Sequence, residues 1–160
     1  SKSSTQLKNV NIPKITELIS EKEFECCAVD GKLGNLSIII VGLYRTPGIM
    51  YDNVFLNKLD IALGMLLTKY ENIILAGDIN IDVLKENSAH NGLKNTLIQH
   101  NIQYLVNFPT RVTIGSESGI DNIITNIDKS QLSVSGLVTE LSDHDAQLLE
   151  IAYPNKKENQ

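Results

Sequence analysis

Apolar residues in this chain fall in short runs, and the spacing within each run predicts the element it forms. Phe24–Val29 and Leu36–Leu43 are apolar and β-rich, and the Asp30-Gly31 and Gly34-Asn35 pairs between them read as a hairpin signal. Ser37-Ile38-Ile39-Ile40-Val41 is nearly continuous rather than alternating, which predicts a strand buried on both faces. Phe55, Leu59, Ala62, Leu63, Leu66 and Leu67 recur at helical spacing between Asp52 and Tyr70, with Asp52 placed to cap the helix. The run from Glu71 through Ile73-Ile74-Leu75-Ala76 to Gly77-Asp78 follows at once as a strand, so the order is strand, helix, strand, with the helix packed on a sheet.

The flanks are less regular. The polar stretch before Phe24, broken by Pro13, predicts an irregular lead-in with one short strand near Ile12–Leu18. Lys85–His90 reads as a loop, and Gly92–Asn101 as a helix with Leu93, Leu97 and Ile98 on one face. Tyr104-Leu105-Val106 leads to a turn at Phe108–Arg111 and on to Val112-Thr113. Short strands are predicted at Ile120–Thr125, Gln131–Val138 and His144–Ala152, and the charged tail Pro154–Gln160 is expected to be disordered. No internal repeat or interior linker interrupts this pattern, so residues 1–153 are expected to form a single domain.

Composition sharpens the picture in three places. A hydrophobic content of 42% with 21% charged residues supports a packed core. No run approaches the roughly 18 apolar residues of a membrane span, and Ser1-Lys2-Ser3-Ser4-Thr5-Gln6 has no signal-peptide core, so no membrane partner and an intracellular setting are expected. A net charge of −5 argues against nucleic-acid binding through a large basic surface. Cys26 and Cys27 are adjacent on a predicted strand, so their side chains point to opposite faces; both are expected to be buried thiols.

Candidate chemistry begins at Gly77-Asp78-Ile79-Asn80, where a strand delivers a carboxylate and an amide two residues apart and so on one face. Such a pair can hold a cation, a phosphate oxygen or a water, and the same pattern also fits a strand-ending turn. Three further stretches lie at strand ends: Tyr44-Arg45-Thr46-Pro47, Gly119-Ile120-Asp121-Asn122 and Leu141-Ser142-Asp143-His144. Tyr44 also fits an amphipathic boundary position, and Asp121 a turn or a cap. A histidine beside a carboxylate, as in Asp143-His144, suits acid–base work or the polarising of a phosphate.

Taken together and in this order, these stretches resemble the endonuclease/exonuclease/phosphatase superfamily. Gly77–Asp82, Pro109-Thr110-Arg111-Val112-Thr113, Ile120-Asp121-Asn122-Ile123 and Leu141–His144 are most similar to the apurinic-type endonuclease domain of insect non-LTR retrotransposons, across roughly residues 24–152. The resemblance implies an α+β fold, a partial four-layer α/β-sandwich with two mainly antiparallel sheets face to face and helices outside. It implies Mg²⁺-dependent phosphodiester hydrolysis, with Mn²⁺ an alternative, and DNA as the substrate. By the same resemblance Asp78 positions or deprotonates the attacking water, and Asn80 and Tyr44 contact the phosphate. His144 stabilises phosphoryl charge, Asp121 orients it across contact in space, Asp143 lies at the metal, and Ser142 is the small residue beside it. Arg45 and Arg111 are candidate phosphate contacts, while Asn107–Ser118 and Lys85–Asn91 are candidate base-reading loops.

The family's first strands, which carry an asparagine and the principal metal-binding glutamate, have no counterpart before Phe24. A chain lacking that N-terminal part is therefore expected, with weaker cation affinity, exposed sheet edges and lower stability. The retroelement resemblance adds a reverse transcriptase domain in the same polyprotein and a nuclear or cytoplasmic location. Two other readings stand beside it: a non-catalytic remnant that binds nucleic acid or a partner, and a small-molecule or lipid phosphatase of the same superfamily.

Overall fold

The computed structural model describes residues 6–34, 36–48, 50 and 52–152. Three antiparallel strands open it: β1 (Gln6–Val10), β2 (Glu25–Leu33) and β3 (Leu36–Tyr44). Leu33 pairs with Leu36 across a tight turn in which Gly34 takes φ 63°, a conformation glycine adopts without steric cost. Asp30-Gly31 lies within the ladder and makes no turn.

Helix α2 (Asp52–Lys69) crosses over to β4 (Ile73–Asp78), which runs parallel to β3, as such a crossover requires. Helix α3 (Ser88–Gln99), β5 (Gln103–Tyr104), the small hairpin β6 (Arg111–Thr113) and β7 (Ser116–Ser118), and β8 (Asp121–Thr125) follow. The chain ends in the antiparallel pair β9 (Leu132–Leu137) and β10 (Ala146–Ile151). The main sheet has the order β1-β2-β3-β4-β8-β5.

Each face of this sheet builds its own core. On one side Ile39, Val41, Leu43 and Leu75 meet Phe55, Leu59, Leu63 and Leu66 of α2 and Leu93 and Leu97 of α3. On the other, Ile38, Ile74, Val106, Ile123 and Ile127 pack against Leu132, Val134, Leu149 and Ile151 from β9 and β10. The unbroken apolar run of β3 thus serves two layers, and each fully buried leucine or isoleucine stabilises by roughly 2 kcal/mol. Two sheets face one another with helices outside the larger one. Among the described residues no helix covers the outer side of β9–β10, where Leu137 and Leu148 stay exposed.

The structure departs from the sequence reading in several places. The strand expected near Ile12–Leu18 is instead a short helix, α1 (Pro13–Thr16), and the strand lies earlier, at β1. Proline at the first helical position loses no hydrogen bond, so Pro13 starts the turn that it seemed to break. The loop expected at Lys85–His90 shortens because Asn87 caps α3, its side chain accepting from the His90 N–H at 2.9 Å. Cys27 is exposed rather than buried. Cys26 is half-buried against the helix-side core, and burial together with its neighbour Cys27 pushes its thiol up to about 11. The tail at 154–160 lies outside the described residues.

Candidate active site

Asp78 and Asp121 are direct register partners across β4 and β8, so their side chains stand side by side on one face at the sheet rim. Below them the chain is fixed: Ile79 and Ile81 are both 1% exposed. The Ile79 N–H donates to the Ile120 carbonyl, and the Arg45 N–H to the Asp78 carbonyl, each at 3.0 Å. Asn80, at φ 50°, folds back so that its N–H donates to Asp78 Oδ1 at 3.0 Å, while its side-chain amide donates to the Arg45 carbonyl at 2.7 Å. A turn and a functional pair therefore coincide at Gly77-Asp78-Ile79-Asn80.

His144 comes from the segment leading into β10 and bridges to Arg111 of β6. Its Nδ1 lies 2.9 Å from Asp121 Oδ2, the contact in space that the resemblance called for. Asp121 Oδ2 also accepts the Thr110 hydroxyl at 2.8 Å. Asp78, Asp121 and His144 each offer a ligand atom within 4.8 Å of the others, a group able to hold a metal ion. Burial, and next the charge of Asp121, push the Asp78 carboxyl up, against the opposing pull of Asn80 and His144. A carboxylate pair with such a charge excess suits a cation, and an imidazole beside two carboxylates suits Mn²⁺ at least as well as Mg²⁺.

Other expected residues sit differently. Asp143 is not one of these three: Arg111 Nε donates to its Oδ2 at 2.7 Å, and this hydrogen bond holds the carboxyl below its usual range. Asp143 lies in the bend that precedes the Arg111–His144 bridge, and its carboxylate pairs with Arg111 while His144 meets Asp121. The Ser142 hydroxyl is spent locally, accepting from the His144 N–H at 3.1 Å and donating to its carbonyl at 3.2 Å. Tyr44 ends β3, next to the Arg45–Asp78 backbone link, and is 41% exposed.

Arg45 does not sit where a phosphate contact would. It is 2% exposed, with Nη2 2.5 Å from Asp52 Oδ1 and its guanidinium 5.6 Å from the centre of the Phe55 ring. A loop arginine can be buried here because α2 begins with a carboxylate aimed at it. Asp52 thus neutralises a buried charge, in a role different from the capping expected of it. Removing one partner of a buried pair leaves the other uncompensated, so Asp52→Ala is expected to cost about 3 kcal/mol. Denaturant melts of Asp52→Ala and Asp52→Asn would test this; a loss under about 0.5 kcal/mol, as surface sites give, would refute it.

Asp82 escaped the sequence reading. Its Oδ1 accepts from the Gly119 N–H at 3.0 Å and from the Leu84 N–H at 3.1 Å, tying the segment after Asn80 to the residues before Asp121. Burial pushes its carboxyl up, but these donors and Lys85 outweigh that and hold it below its usual value. It ends the Gly77–Asp82 stretch that carries the resemblance, and the spacing Asp78-x-Asn80-x-Asp82 was its further signal.

No family model and no curated protein matches the sequence. Solved structures do match the fold. One is the endonuclease domain of TRAS1, a telomere-specific non-LTR retrotransposon, with TM-score 0.70 and 17% identity over 94% of this chain and 70% of that one. The 3′ phosphatase NExo from Neisseria, bound to product DNA hairpin, aligns with TM-score 0.64 and 13% identity over 96% of this chain and 73% of that one. An endonuclease/exonuclease/phosphatase family protein from Leptotrichia buccalis aligns with TM-score 0.61 and 11% identity over 80% of this chain and 53% of that one. With the sheets, the crossover and the rim cluster already described, this likeness gives the chain the fold of the endonuclease/exonuclease/phosphatase proteins.

Proposed function

We propose that this chain acts as a metal-dependent endonuclease that hydrolyses DNA phosphodiester bonds. The observation that carries the reading is the gathering of Asp78, Asp121 and His144 at one sheet rim, from three separate strand ends. Asp78 Oδ1 is engaged by Asn80, which leaves the other carboxylate oxygen to orient an attacking water or hold a cation. Asp121 receives the Nδ1–H side of His144, so Nε2 faces outward and, in the imidazolium form that the carboxylate supports, donates to a phosphoryl oxygen. Asn80 and Tyr44 supply neutral donors at the same rim, and Arg111, held by Asp143, adds positive charge beside it. A divalent cation bound by Asp78 and Asp121 would supply Lewis-acid stabilisation of the developing charge.

The nuclease and phosphatase neighbours support phosphoester chemistry, and the TRAS1 and NExo structures favour DNA. In a retroelement, such a module would share a polyprotein with a reverse transcriptase and act on nuclear DNA. A supercoiled-plasmid assay in Mg²⁺ or Mn²⁺ tests the reading. The native chain is expected to yield open circles, and His144→Ala to lower that rate by about 10²–10³-fold. Background-level nicking by both chains would remove the enzyme reading. Release of phosphate from small phosphoesters, with no nicking, would move the assignment to a phosphatase.

A further inference from the structure

We infer that Thr110 is a positioning residue that sets the Asp121–His144 pair through its side-chain hydroxyl. The inference rests on the hydrolytic reading above and adds a residue that this reading does not use. Thr110 is 0% exposed and lies outside every regular strand, between Phe108 and β6. Its hydroxyl donates to Asp121 Oδ2 at 2.8 Å, and accepts from the Asp121 N–H at 3.0 Å and the Ile120 N–H at 3.2 Å. A hydroxyl has one proton and two lone pairs, so every position it has is filled.

The backbone of Thr110 joins two more segments to this one. Its N–H donates to the Ser118 carbonyl at 2.9 Å, and its carbonyl accepts from the Asp145 N–H at 2.7 Å. Thr110 is therefore bonded to Asp121 itself and to the residue following His144. One buried threonine holds both partners of the pair in register.

The hydroxyl and the imidazole meet the same oxygen of Asp121, which fixes the carboxylate plane toward Nδ1. That orientation selects the His144 tautomer protonated at Nδ1 and presents Nε2 outward. Supporting groups of this kind change activity by about 10–100-fold when lost. Valine matches threonine in shape and removes only the hydroxyl's bonds, whereas serine keeps them.

The test compares the native chain, Thr110→Val and Thr110→Ser in oligonucleotide cleavage and in long-range ¹H–¹⁵N spectra of the histidine rings. Thr110→Val is expected to lower kcat by about 10–100-fold, with KM changed less than about threefold. Its neutral His144 ring is expected to pass from one tautomer to a mixture. Thr110→Ser should restore both readouts. A Thr110→Val chain with native kcat and a native ring spectrum would overturn the inference. So would a Thr110→Ser chain that melts like the native one yet shows mixed tautomers, because the methyl group would then be what matters. Should the valine chain not fold, Thr110→Ala, which also lacks the hydroxyl, takes its place: a mixture of tautomers supports the role and a native ring spectrum overturns it. If the native chain cuts nothing, the hydrolytic reading falls, and the ring spectra still judge Thr110.

Discussion

Asp78→Asn is expected to lower plasmid nicking by at least about 10³-fold while making the protein more stable at neutral pH. The two effects share one cause. Asp78 is half-buried and stands directly opposite Asp121, and burial, followed by that neighbouring charge, raises its carboxyl above the usual range. An acid whose folded pKa lies above its unfolded value gives stability that is fully present below the unfolded pKa and lost as pH rises through the folded one. At neutral pH the ionised Asp78 therefore costs stability, on the order of 1 kcal/mol for like charges set opposite each other. Asparagine keeps the shape and the acceptor for the Asn80 N–H but carries no charge. Thermal melts from about pH 4 to 8 should show the variant gaining on the native chain as pH rises, by roughly 2–4 °C at the top of the range. A melting difference that ignores pH would sink the electrostatic account, and native nicking by Asp78→Asn would sink the catalytic one. Added Mn²⁺ or Mg²⁺ should raise the native melting temperature and leave the variant's nearly unmoved, since only a site that binds the folded state stabilises it.

Where the sequence read correctly, one strong local signal was at work. The continuous run of β3 and the helical spacing of α2 each match a single period, and both elements lie where that period predicts. The reading failed where partners far along the chain decide the outcome. Arg45, set among Tyr44, Pro47 and Gly48, looks like a surface cation until Asp52 and Phe55 are seen to receive it. Asp143 and His144 form one dipeptide, yet one side chain pairs with Arg111 and the other with Asp121. The contact between Asp121 and His144 followed from resemblance alone, because no local pattern joins residues that far apart. Thr110 and Asp82 stood inside stretches that carry the resemblance yet received no role there, since a buried hydroxyl or carboxylate in a polar loop shows its bonds only once the loop is folded.

Gly77→Ala is expected to be severely destabilising. Gly77 has φ 153°, and a Cβ placed there would lie 1.8 Å from the Leu43 carbonyl oxygen and 2.9 Å from its carbon. Those atoms are backbone of β3, so no side-chain rotation relieves the clash, and β4 would have to move away from its parallel neighbour. That shift would pull Asp78 from Arg45, whose N–H it accepts at 3.0 Å, and from its register with Asp121. A loss of at least about 4 kcal/mol is expected, which for a domain of this size is roughly 8–16 °C in melting temperature. Gly115→Ala is the control. Gly115 also has a positive φ, 84°, but nothing lies within 4 Å of its added Cβ, so only backbone strain of about 1–2 kcal/mol applies. Equal losses in the two variants would show that conformation alone, and not the approach to Leu43, is what Gly77 provides. A much larger loss at Gly77 would give the glycine of Gly77-Asp78-Ile79-Asn80 a packing role: it lets two strands close on each other so that the carboxylate after it reaches the rim.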